Sequence, residues 1–162
     1  MSFEIRKTLE SDLPELERIY DTARRFMRSH GNHSQWVGYP TKEILLRDIE
    51  GGNSFVVLSG GKTVATFAFF TSPDPTYGFI ENGRWINDES YGTIHRIASD
   101  GTRKGVLGFA VEYCSSVIKN IRIDTHEDNT VMKNALEKLG FEKCGTIYLS
   151  DGSPRTAYQK LF

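Results

Sequence analysis

His95, His126 and Tyr91, all in the second half of the chain, carry side chains able to move protons. Imidazole titrates close to neutrality, so His95 is the preferred general base. A phenol with an ordinary pKa near ~10 makes Tyr91 a weak one. A histidine in a strand also serves as a satisfied structural group, and that alternative stands beside the catalytic one. Asp124 lies two residues before His126, and strand alternation puts both on one side, where they can pair. The run Asp124 to Asn129 also reads as a strand end that caps a helix through Asp128 or Asn129. One histidine among carboxylates, with no second at ligand spacing, does not describe a metal centre, so no metal is expected.

A different chemistry is written into Asp100-Gly101-Thr102-Arg103-Lys104-Gly105. Its glycines permit positive φ and close backbone approach, and it leads directly into an apolar stripe at helical spacing from Val106. Free amides at a helix N-terminus favour an anion, so a cofactor with phosphates is expected there. No Gly-Lys-Ser or Gly-Lys-Thr follows, which excludes a nucleotide P-loop. Gly101, Gly105 and Gly108 also miss the dinucleotide spacing.

The elements that must position these groups are legible from periodicity and punctuation. Residues 91–99 read as a strand, 105–119 as a helix, 120–126 as a second strand and 129–139 as a second helix closed by Gly140. Upstream, a strand at 3–8 precedes a helix at 11–29, capped by Ser11, with Leu13, Leu16, Ile19, Tyr20, Ala23, Phe26 and Met27 on one face. Thr41 opens a short helix with Ile44, Leu45 and Ile49 inward. Strands 54–58 and 63–71 form a hairpin around Gly60-Gly61. An irregular segment, 72–90, carries Tyr77, Phe79 and Trp85 and is too aromatic for a solvated tether. Strands at 142–149 and 155–162 close the chain. One α/β domain over 1–162 is expected: a mixed, largely antiparallel sheet with helices on both faces.

Composition narrows the function. Among 162 residues, 20 basic against 21 acidic side chains give a net charge of −1, so bulk charge attracts neither nucleic acid nor anionic lipid. No run is long enough to span a membrane, and the N-terminus lacks a signal-peptide core, so a cytoplasmic location is expected. Cys114 and Cys144 read as small buried residues.

The succession of strand 91–99, glycine turn, helix, strand 120–126, Asn129 and Leu139-Gly140-Phe141 resembles the GCN5-related N-acetyltransferase (GNAT) family across essentially the whole chain. The resemblance implies an acyl-CoA N-acyltransferase-like fold in which strands 91–99 and 120–126 form a parallel central pair that splays to admit acetyl-CoA. It implies that the backbone amide of His95 holds the thioester carbonyl and that Ile97 and Ser99 pair with pantetheine. Amides of Thr102, Arg103, Lys104, Gly105, Val106 and Leu107 would receive the pyrophosphate, and Asn129 would bond the pantetheine arm. The family's phosphate signature begins with Arg or Gln and ends in Gly or Ala; here Thr102 and Leu107 replace them. The tyrosine that many members use to protonate the thiolate is replaced by Leu136, leaving Tyr148 or water as the donor. The glutamate some members use as a base is replaced by Tyr91.

The resemblance also places the acceptor pocket at the early helices and the loops around the open sheet. Trp36, Tyr39 and Trp85 are expected to wall it, which suits a small-molecule amine acceptor. Transfer of acetyl from acetyl-CoA by direct attack of that amine is the expected reaction. The alternative is a non-catalytic acyl-CoA-binding module of the same fold. Exposed strand edges also permit pairing into a homodimer.

Overall fold

Helix starts are set by side chains that satisfy orphan amides, and a computed structural model describing residues 2–162 shows which side chains do this. Strand β1 (Phe3–Lys7) leads into a 3-10 turn at Glu10–Asp12 and then α1 (Leu13–Ser29). The expected Ser11 cap is not formed. Asp12 takes over the corner instead, accepting the Leu9 amide at 2.7 Å and both arms of Arg6 at 2.7 and 3.0 Å. Helix α2 (Lys42–Glu50) is capped as expected, Thr41 Oγ1 accepting the Ile44 amide.

Strands β2 (Ser54–Ser59) and β3 (Lys62–Phe70) form the expected hairpin, and β4 (Gly92–Ser99) follows the long irregular segment. Helix α3 (Val106–Val117), β5 (Asn120–Thr125), α4 (Thr130–Lys138), β6 (Glu142–Tyr148) and β7 (Pro154–Leu161) complete the chain. Asn129, not Asp128, caps α4, with its Oδ1 accepting the Met132 amide at 3.1 Å.

The seven strands form one sheet in the order β1-β2-β3-β4-β5-β7-β6. Every neighbouring pair is antiparallel except β4 and β5. That parallel pair is brief, matching only Gly92 with Ile121 and Thr93 with Arg122. Beyond it the two strands diverge, as the family resemblance implied. On its other side β4 carries a bulge: Thr66 faces Ala98 while Ala68 faces His95, so β4 spends one more residue than β3. Arg96 sits inside it with φ of 54°. A bulge sharpens twist and re-aims side chains, which helps the strands part here.

Period-two alternation divides the packing between the two faces. On one face Ile94, Ile121 and Ile123 pack with Val106, Ala110 and Cys114 of α3 and Leu136 of α4. On the other, Leu16, Ile19 and Tyr20 of α1 and Leu45 of α2 cover Val56 and Ala98. The 72–90 segment forms a third cluster through Tyr77 and Trp85 against Cys144, Ile147 and Ala157. It is packed structure, as its aromatic content suggested. Both cysteines are buried and free.

Candidate active site

Where β4 and β5 part, two cavities meet. The smaller, about 310 Å³, is lined by Phe26, Ile97, Ser99, Val106, Leu107 and Ala135 among others. The larger, about 660 Å³, is lined by His95, Asp74, Asp124 and Arg155 among others. Met27, Ile97, Asn129 and Met132 line both, so the two spaces adjoin across the opened strands.

Alternation buries Ile94 in the core and turns His95 to the opposite face, where it lines the larger cavity. His95 Nε2 lies 2.6 Å from Asp74 Oδ2. Burial alone would raise the Asp74 carboxyl, but hydrogen bonds from His95 and Thr76 overcome that and hold it at about 2. An ionised carboxylate only accepts, so Nε2 donates its proton in this bond, and Nδ1 is the ring nitrogen that Asp74 leaves unbonded. That Nδ1 is 4.0 Å from Asp124 Oδ2. Asp124 in turn accepts the buried Tyr77 hydroxyl at 2.6 Å, and that phenol is pushed well above its ordinary range by burial and by the carboxylate. Asp74 belongs to the irregular segment and no spacing rule brings it to His95. Only Asp-Pro as a turn signal marks it in the sequence.

Arg96, the bulged residue, is held from three sides. It donates to both oxygens of Asp48 at 2.9 Å and to the Tyr39 hydroxyl at 2.8 Å, while its own carbonyl accepts Tyr20 Oη at 2.6 Å. Asp48 is a buried carboxylate on the inward face of α2, a position where the sequence pattern asks for an apolar residue. Burial lifts its carboxyl above the ordinary range even against the pull of Arg96.

The candidate acceptor walls separate into two groups. Trp36 and Tyr39 line the larger cavity, Trp36 packing edge-on to Tyr20. Trp85 does not line it: it is buried, donates Nε1 to the Tyr77 carbonyl at 3.0 Å and stacks on Arg122. Its bulk is needed under the 72–90 segment, so the expected acceptor role falls away.

Three proton-transfer candidates are also reassigned. The Tyr91 hydroxyl accepts the Asp74 amide at 2.9 Å and its ring covers Arg122, so Tyr91 supports Asp74 and does not face the cavity. His126 lines the cavity, but its Nδ1 accepts the Asp128 amide at 3.0 Å. An Asp124–His126 pair does not form, because Asp124 turns to Tyr77 and His95, and the run caps α4 as its other reading had it. Tyr148 donates to Glu81 at the opposite edge of the sheet, outside both cavities. Leu136 is completely buried in the core.

The glycine turn delivers a helix N-terminus. Gly105 has φ of 83° and nothing within 4 Å of where a Cβ would stand, so backbone conformation, not crowding, calls for glycine. Phe109 is the first amide to bond back, to Gly105 O at 3.1 Å, which leaves those of Val106, Leu107 and Gly108 free for an anion. Thr102 departs from expectation: its amide and hydroxyl both bond Asp100 Oδ1, at 3.0 and 2.6 Å, so that amide is spent within the turn. Arg103 reaches back to Ser59 Oγ at 3.1 Å, and Lys104 remains exposed. Asn129 lines both cavities while bridging to Gln35 Oε1 at 3.0 Å. Free amides at one end and a mainly apolar channel between diverging strands fit a phosphorylated, long-armed thioester such as acetyl-CoA. Among the described residues no group of acidic, His and Cys side chains is arranged to hold a metal ion, and no helix is long and apolar enough to cross a membrane.

No protein-family model and no curated protein matches the chain. Solved structures do. An acetyltransferase of the GNAT family from Streptococcus agalactiae is 29% identical, with 99% of this chain and 95% of the other covered at a TM-score of 0.90. A GNAT-family acetyltransferase from Listeria monocytogenes matches at 16% identity, TM-score 0.73, over 99% and 95% of the two chains. A ribosomal-protein-alanine N-acetyltransferase from Brucella melitensis shares the fold at 18% identity and TM-score 0.66, over 98% and 99%.

Proposed function

We propose that this chain, which shares the fold of GNAT-family acetyltransferases, moves acetyl from acetyl-CoA to the amine of a small molecule held in the larger cavity. The observation that carries this reading is the Asp74–His95 pair, 2.6 Å apart, which fixes an imidazole at that cavity with only Nε2 engaged by Asp74.

Acetyl-CoA supplies an activated acetyl group as its thioester when bound. The amides of Val106, Leu107 and Gly108, with Lys104 beside them, would hold its phosphates. Ile97, Met132 and Asn129 would guide its arm between β4 and β5. The backbone amide of His95 would receive the thioester carbonyl, as the family resemblance implies.

His95 Nδ1 takes a proton from the entering ammonium, and Asp74 stabilises the imidazolium that results. The neutral amine then bonds to the carbonyl carbon as the carbon–sulfur bond breaks. The second amine proton is lost on amide formation, and the departing sulfur takes up one proton. With Leu136 buried and Tyr148 turned away, that proton comes from water or from the acceptor nitrogen itself. A volume of about 660 Å³ is of the size that encloses small organic ligands, which favours a small acceptor.

The test is acetyl-CoA turnover, followed as free thiol, across a panel of primary amines. Transfer by the natural protein, reduced by about 10²-fold or more in His95→Gln, is expected. The second reading, an acyl-CoA-binding module without catalysis, draws on the core leucine at 136. Calorimetric binding of acetyl-CoA with no thiol release from any amine would establish it.

A further inference from the structure

One cation in the larger cavity is uncommitted. Of the two arginines that line it, Arg96 is taken up by Asp48 through two bonds of 2.9 Å. Arg155 makes no ion pair among the described residues. Its guanidinium donates once, from Nη1 to the Pro154 carbonyl at 2.9 Å, so Nε and Nη2 have no acceptor among those residues. Asp151, close by in sequence, is exposed and spends Oδ1 on the amide and hydroxyl of Ser153.

Sheet register fixes where this cation stands. Asp124 of β5 is opposite Ala157 of β7, and Arg155 lies two residues nearer the start of β7. Cross-strand partners share a face and alternate residues return to it, so Arg155 stands on the face of Asp124. Because β5 and β7 are antiparallel, that step leads toward the end of β5, where β4 and β5 have parted. Two residues along a strand and one strand across put the Arg155 backbone roughly 8 Å from that of Asp124. Asp124 Oδ2 is itself 4.0 Å from His95 Nδ1. The cavity therefore runs from an imidazole flanked by carboxylates to a free guanidinium.

On these grounds, and resting on the acetyltransferase reading, we infer that the acceptor is an amine that also carries a carboxylate, set several bonds from the nitrogen and held by Arg155. Asp124 draws the ammonium to the His95 end. The planar guanidinium fork receives the carboxylate at the other, with two parallel hydrogen bonds and opposite charge. Trp36 and Tyr39 wall the same space and suit an apolar spacer between the two groups.

Amines of equal length with and without the acid make the test: 5-aminopentanoate against pentylamine, 4-aminobutanoate against butylamine, 3-(aminomethyl)benzoate against benzylamine. Each is measured as kcat/KM for thiol release from acetyl-CoA and as calorimetric binding without turnover. The acid should be favoured by at least about tenfold in both, as a charge-assisted pair provides. Arg155→Met should erase that preference through KM while leaving the plain amine's kcat/KM and the affinity for acetyl-CoA unchanged. Arg155→Lys, which keeps the charge and loses the fork, should retain part of it. Equal treatment of acid and plain amine, preference for the plain amine, binding of neither, or a preference that survives Arg155→Met would overturn the inference. A matching loss of acetyl-CoA affinity in Arg155→Met would also overturn it, by assigning the arginine to the cofactor's phosphates. Acid-selective binding that depends on Arg155 but brings no acetyl transfer would leave the selection standing and sink the acetyltransferase reading instead.

Discussion

Arg96 grips Asp48 with two parallel hydrogen bonds of 2.9 Å, fastening the bulge of β4 to the inner face of α2. Arg96 holds a left-handed φ of 54°, a conformation unfavourable for a residue with a Cβ. The surroundings over-determine it: Asp48 and Tyr39 take the guanidinium and Tyr20 takes the carbonyl. The opening between β4 and β5 is therefore fixed from the α1–α2 side of the sheet.

Removing one partner of this pair leaves an unmatched buried charge. Arg96→Met should lose about 3–5 kcal/mol in chemical denaturation. Adding Asp48→Leu should recover much of that stability, since apolar replacements of a buried pair are often tolerated. Acetyl transfer should stay low in the double variant because the bulge is no longer held. A loss below about 1 kcal/mol for Arg96→Met would mean the pair is solvated in solution.

Asp74 sets an acid limit. Its carboxyl sits at about 2 in the folded chain against an ordinary 3.8, because bonds from His95 and Thr76 outweigh its burial. A depressed carboxyl adds stability above its unfolded pKa and loses it as pH falls through the folded one. Melting temperature should therefore drop between about pH 4 and pH 2, and this part of the slope should be missing in Asp74→Asn. Unchanged slopes in native and variant would show that the His95 contact does not persist.

The two tryptophans should behave oppositely. Trp85→Ala opens the cluster under the 72–90 segment and should cost about 3–5 kcal/mol. Trp36→Ala removes a half-buried cavity wall, so its main effect should be a raised KM for the amine with a smaller change in stability. Comparing denaturation midpoints with steady-state kinetics for both variants checks the assignment.

Installing the family's tyrosine should not restore a proton donor. Leu136 is fully buried, and Leu136→Tyr adds volume and a hydroxyl to a packed core. A loss of about 1–3 kcal/mol with no rise in kcat is expected. A faster enzyme would show that α4 can turn this position toward the cavity.

Gly105 separates backbone demand from ligand demand. Gly105→Ala has room for its methyl but not the preferred φ, so about 1–2 kcal/mol of stability should be lost with measurable acetyl-CoA binding retained. Gly105→Asp sets a carboxylate beside the amides of α3 and should abolish that binding. Calorimetry on the two variants reads the difference directly.

The amino-acid sequence by itself determined the order of elements, the glycine turn before α3, a helix cap at Asp128 or Asn129 and the two-faced packing of the sheet. These follow from periodicity, capping and turn chemistry, which act over a few residues and leave their mark locally. Tertiary structure decided which polar groups meet. Asp74 reaches His95 across 21 positions, Asp48 reaches Arg96 across 48 and Tyr77 reaches Asp124 across 47. The same long-range packing buries Trp85, turns Tyr148 to Glu81 and spends Tyr91 on Asp74. Side chains of one type read alike in sequence whether they line a cavity or fill a core. Only the path of the 72–90 segment over the open sheet decides which they do.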